Sequence, residues 1–313
     1  MGVKRFGFAI ALCLMSPALA GPASHGASPA APFLFTPMDE RSAAFSPDGK
    51  TVVFTIRIAD YRQALAVSTR TAKGWSTSEI APFSGTSLDG DPAFSADGRR
   101  LYFASARSSD GKPKDWDIWQ VDRKGDGWGE ATPVPGKVNS PEAETGPAPT
   151  ASGRLYFSSG RSGSGDIYVA DPSPDGFGEP RKLGSAINSE NSEVTPTVNR
   201  AENLLMFASI GRRDQTLVAG APYVRADIYM SRRSARGWSP AVKLGPAVNS
   251  LALEASPRLL ADGKRLAFMS EWSRAADHSV LLSPRELRRM LATPFNGLGN
   301  IYVVTLAALG IAQ

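Results

Sequence analysis

One phrase is written five times along this chain: a tight polar turn leading into a short apolar strand that ends on phenylalanine. "AFSPDGKTVVF" begins at Ala44, "AFSADGRRLYF" at Ala93, "PTASGRLYF" at Pro149 and "LLADGKRLAF" at Leu259. "TVNRAENLLMF", from Thr197, keeps the outline but lacks the Asp-Gly pair, which leaves its turn open to question. The phenylalanines, Phe54, Phe103, Phe157, Phe207 and Phe268, stand 49, 54, 50 and 61 residues apart. A period of this size belongs to propellers and solenoids, whose units bury their apolar faces only against one another.

Further marks follow each phenylalanine in a fixed order. A second strand reads "DIW" at Asp117, "DIY" at Asp166 and Asp227, "NIY" at Asn300, and more weakly "ALAV" from Ala64 in the first unit. A Gly-aromatic turn comes next, at Gly74, Gly127, Gly176 and Gly237, and then a segment closing on "VNS" at Val138 and Val248 or "INS" at Ile187. Alternating strands, β-branched and aromatic enrichment and Asp-Gly punctuation give four strands, a to d, in each unit. Four strands in about fifty residues make a propeller blade. The 30 glycines and 24 prolines suit many strands joined by tight turns.

The last unit has no Gly-Trp turn and no strand d, whereas "PFLFTP", Pro32 to Pro37, looks like a strand placed before the first strand a. The expectation is an all-β, five-bladed propeller over residues 33–313, closed by this N-terminal strand in the fifth blade. Closure removes the sheet edges an open fan would expose. In the fifth blade a short helix is expected from Pro284 to Leu291, with Ser283 and Glu286 forming a capping box and Pro284 at the first position.

The order "SADGRRLYFASAR", "DIW", "GWGEATPVPGKVNS" resembles the TolB-type, WD-like β-propeller repeat family of exported bacterial proteins. The resemblance covers Phe33 to Ala308, and it implies a binding or scaffold module of the cell envelope. The length leaves no room for a further α/β or peptidoglycan-binding domain, so the roles of such domains are not implied.

The first twenty residues read as a secretory leader: Lys4 and Arg5, an apolar run from Phe6 to Met15, and Ala18-Leu19-Ala20 as the cleavage pattern. The run is too short to span a bilayer, and residues 21–32, "GPASHGASPAAP", read as a flexible tether. Export to a bacterial periplasm, or secretion, is expected. The single cysteine, Cys13, lies inside the leader, so no disulfide is expected. The chain carries 35 basic and 30 acidic residues, and losing Lys4 and Arg5 leaves a balance of only +3. That argues against a nucleic-acid partner despite a pI near 9.4.

On the expected upper face, where strand d of one blade leads to strand a of the next, each unit has a carboxylate three residues ahead of a fixed strand-a position: Glu40, Asp89, Glu144, Glu193 and Glu254. A basic residue follows strand b in each unit: Arg57, Arg107, Arg161, Arg212 and Arg274. Two rings of opposite sign at a channel mouth read either as Arg–carboxylate pairs that lock the blades or as groups that bind a ligand there. "DRKGDG" at Asp122 lacks the alternation of a calcium loop, and no cofactor is expected. The chain has two histidines, His25 and His278, and no nucleophile elbow, zinc motif or Walker loop. The leading reading is a non-catalytic binding module for an envelope protein or glycan. The alternative is a lyase or glycosidase using the ring carboxylates as acid and base, with Tyr223, Trp272 and His278 lining the site.

Overall fold

The computed structural model describes residues 26–58, 62–108, 115–214, 225–272, 283–294 and 296–311. The leader, Cys13, His25, Tyr223, Arg274 and His278 lie outside these residues. Five antiparallel sheets follow one another along the chain, each in the order a-b-c-d. The innermost strands are Asp39–Phe45, Asp89–Phe94, Glu144–Pro149, Ser192–Val198 and Glu254–Leu259. Strands b and c are longest in the first and fourth blades, while strand d is reduced to two residues, as at Glu79–Ile80 or Arg181–Lys182. The short helix runs Pro284–Leu291 with the expected capping box: the Glu286 amide donates to the Ser283 hydroxyl and the Ser283 amide to the Glu286 carboxylate.

Ring closure uses a different segment from the one expected. Ser28–Pro29, inside the segment read as a tether, pairs antiparallel with Val303 and Tyr302 and forms the outer strand of the fifth blade. The Ala30 amide donates to the Ile301 carbonyl at 3.0 Å. Pro32–Leu34, read as strand, is instead a turn of 3-10 helix with Pro32 at its start, because a proline has no N–H for a ladder but suits a first helical turn. Leu34, fully buried, and Phe33, 5.9 Å from Phe54 and 5.4 Å from Trp75, plug the seam between the last blade and the first.

The core is divided among the five seams. Each apolar cluster joins two neighbouring blades, as Tyr102 and Ile118 meet Phe157 and Tyr168, or Tyr156 and Ile167 meet Phe207 and Tyr229. Period-2 alternation explains this, since each strand offers one side-chain set to either neighbour. The marker phenylalanine of strand b lies directly opposite the aromatic of strand c: Phe103 and Trp119, Phe157 and Tyr168, Phe207 and Tyr229, Phe268 and Tyr302. In the last three pairs the rings stack at 5.9–6.1 Å.

The Asp-Gly turns shape the chain locally. The Asp97 carboxylate accepts the Ser95 hydroxyl at 2.6 Å and the Arg99 amide at 3.1 Å, and Gly98 sits at φ 71°. In the fourth blade the turn forms without glycine, as Asn199 accepts two backbone amides and Glu202 takes φ 51°. The Glu202 side chain then crosses the seam to Ser152 and to Arg154, 3.1 Å away. Burial would raise the Glu202 pKa, but the bonds from Ser152 and Arg154 hold it below the usual glutamate value.

Candidate functional site

One wiring pattern connects the motifs across successive blades. Asn139 of "VNS" accepts the Ile118 amide and donates to the Ile118 carbonyl, pinning the end of strand c. Ser140, one residue on, donates its amide and its hydroxyl, both at 2.7 Å, to the Glu144 carboxylate of the next blade. Ser159 on strand b adds a third bond at 2.6 Å, and Arg161 lies 3.2 Å from the same carboxylate. The Arg161 guanidinium also donates to the Val138 carbonyl and covers Phe157 and Tyr168 at 5.6 and 5.2 Å. Carboxylate, serines and arginine thus tie the connecting segment to strands a and b over the aromatic pair.

The second and fourth blades repeat the arrangement. Asp89 accepts from Ser84 and Ser105, each at 2.6 Å, and pairs with Arg107 at 2.7 Å. Glu193 accepts from Ser189 and Ser209 and lies 3.0 Å from Arg212. Asp89, Glu144 and Glu193 have no exposed surface. They sit beneath the upper face rather than on it, neutralised by charge-assisted bonds.

The first blade departs from the pattern for a geometric reason. Opposite Glu40 stands Ile56 where the other blades have serine, and Arg57 follows one residue sooner than Arg107 and Arg161 do. A one-residue offset turns a strand side chain to the other face, and Arg57 pairs with Asp39 at 2.6 Å. Arg41 joins that pair, 3.2 Å from Asp39 and 2.9 Å from Glu271. Glu40 accepts from the Thr36 hydroxyl, and among the described residues its Oε2 has no side-chain or backbone donor within hydrogen-bond distance. Burial pushes its pKa up to about 7 against the pull of Thr36. In the fifth blade Glu254, fully buried, accepts the Ser250 amide and the hydroxyls of Ser250 and Ser270, and burial likewise pushes it up to about 7.

Two cavities open on the ends of the central channel. The upper, about 270 Å³, is bounded by Arg41, Gln63, Asp91, Ile210, Ser256 and Met269 among others. Asp91, Thr195 and Ser256 have positive φ near 50°, at the bulge that interrupts each strand a. The third blade has Gly146 there, where a Cβ would lie 2.7 Å from the Thr195 backbone. The lower cavity, about 170 Å³, is lined by the ends of all five strands a and by the turns that follow them. Arg258 reaches into it; recurring motifs do not single this residue out, although aligning the five strands a shows it as the one long side chain in a column of small ones. Among the described residues, no three His, Cys, Asp or Glu side chains converge as metal ligands would.

No protein-family model matches the chain, and no curated protein matches it in sequence. Solved structures do. Putative TolB from Agrobacterium tumefaciens superposes with a TM-score of 0.51 at 16% identity, covering 86% of this chain and 91% of that one. The catalytic domain of the Coprinopsis cinerea GH62 alpha-L-arabinofuranosidase gives 0.51 at 14% identity, covering 90% and 93%. TolB from Acinetobacter baumannii gives 0.48 at 16% identity, covering 85% of this chain and 54% of its own. One β-propeller fold is thus shared with proteins of different printed roles, and the chain is similar in architecture to TolB.

Proposed function

We propose that this chain is an exported, non-catalytic β-propeller that binds an envelope protein or glycan on its upper face. The observation that carries this reading is the burial of the ring carboxylates. Glu40, Asp89, Glu144, Glu193 and Glu254 are at most 1% exposed, and three of them are neutralised by arginine. An acid–base pair for glycoside cleavage must reach both faces of a scissile bond, whereas Asp89, Glu144, Glu193 and Glu254 bond to buried or half-buried serines and Glu40 to Thr36. The upper cavity and the exposed Met38 and Leu251 beside the entering strands offer contact surface instead. The leader reading of residues 1–20 supports export. Among the described residues no helix is long and apolar enough to cross a membrane.

The test uses the chain from Gly21 with purified envelope glycans, scoring co-sedimentation and release of reducing ends together. Retention on a glycan without product, weakened by Asp91→Asn, is the expected result. Product release that disappears in Glu40→Gln would overturn the non-catalytic reading in favour of a carbohydrate-active enzyme.

A further inference from the structure

The lower end of the channel carries a buried cation that, among the described residues, forms no ion pair. Four residues beyond the ring carboxylate, the strands a hold Ala44, Ala93, Ala148 and Thr197, and the fifth holds Arg258. The small side chains leave the axis to the arginine, which is only 6% exposed. One Nη donates to the Pro196 carbonyl at 3.0 Å and the other reaches toward the Asp91 carbonyl at 3.5 Å, from the fourth and second blades. The Nε–H has no acceptor. No ion pair joins Arg258 to a carboxylate among the described residues. The Asp91 carboxylate attracts it only through space, and burial outweighs that attraction, holding the Arg258 pKa below its ordinary value. A buried guanidinium with an unused donor is costly unless an anion or water completes it.

The cavity around Arg258 fits that requirement. Among the described residues no Asp or Glu lines it, while a second cation, the exposed Arg200, stands on its rim. The turn acids of this face are already engaged: Asp48 by Ser46, Asp97 by Ser95 and Asp262 by Arg265. One position beyond the small column, Phe45, Phe94, Pro149, Val198 and Leu259 form an apolar collar.

We propose that the lower cavity is a binding site for a small organic carboxylate, its oxygens on Arg258 and its apolar body against the collar. A charged head in a narrow, mostly apolar mouth favours an aromatic or short aliphatic acid over inorganic phosphate, which has nothing to place on the collar. This site lies on the face opposite the proposed upper-face surface, and the two cavities share no lining residue.

The test titrates the chain from Gly21, in low-salt buffer, with benzoate, acetate and inorganic phosphate by calorimetry. Benzoate is expected to bind more tightly than acetate, and phosphate least. Arg258→Met should weaken benzoate roughly tenfold to a hundredfold, the loss of a hydrogen-bonded charge, while Arg200→Met lowers affinity only a few-fold. Because Arg258→Met could unsettle the ring, crystals of the wild-type chain soaked in 4-bromobenzoate give an independent readout, a bromine anomalous peak in the lower cavity. No heat with benzoate, phosphate binding more tightly than benzoate, or a peak elsewhere would each overturn the proposal.

Discussion

Two glutamates of the ring, Glu40 and Glu254, have their pKa pushed to about 7 by burial, from an ordinary 4.5. Below about 4.5 both are protonated whether the chain is folded or not. Between 4.5 and 7 the folded chain keeps protons that the unfolded chain releases, so their contribution to stability is lost as pH rises through that window. Glu40→Gln combined with Glu254→Gln should therefore flatten the fall in urea midpoint between pH 5 and pH 8, whatever it does to the absolute value. An unchanged slope would show that these two protons are not held. The pairs Asp89–Arg107, Glu144–Arg161 and Glu193–Arg212 were legible in the sequence because they recur. The partner of Arg57 was not, because a one-residue offset changes its face without changing its type. Arg258 escaped for the opposite reason: motifs report what repeats, and this residue matters where the column does not repeat.

At the scale of elements, the Gly-aromatic hairpins show how one motif serves two ends. In three blades an arginine of strand c lies over the tryptophan: Arg70 on Trp75, Arg123 on Trp128 and Arg233 on Trp238, at 5.3–5.8 Å. The third blade has Phe177 instead, and there the neighbouring backbone closes in. Gly136 bridges to Phe177, whose amide donates to the Pro135 carbonyl at 3.1 Å. A Cβ on Gly136 would lie 2.2 Å from the Phe177 carbonyl oxygen, whereas one on Gly237 would meet open space. Both have φ near 100°. Gly237→Ala should cost about 1–2 kcal/mol from backbone strain alone. Gly136→Ala should cost clearly more by urea unfolding, and equal losses would show that the second-to-third seam yields easily. Blade count, strand order and the helix were readable from periodicity and capping. The strand-like look of Pro32–Pro37 misled because alternation is shared by a strand and by a segment that buries two rings in a seam.

For the whole molecule, the ring depends on a latch of a few residues. Removing residues 1–31 deletes the Ser28–Pro29 strand, the bond from Ala30 and the buried Ala31, and bares the edge of Asn300–Thr305. The shortened chain should lose about 2–4 kcal/mol of stability and self-associate through its open edge, as urea melts and sedimentation velocity would show. A monomer with an unchanged midpoint would mean the ring holds without its latch. The latch also sets an order of events. Because Ser28 pairs with Val303, the closing contact joins segments far apart in the sequence, and no ring can exist while residues 300–305 are still on the ribosome. A chain caught at that stage has a fifth blade of two strands and a first blade lacking its neighbour, so completion of the fold is deferred until the strand Asn300–Thr305 has emerged.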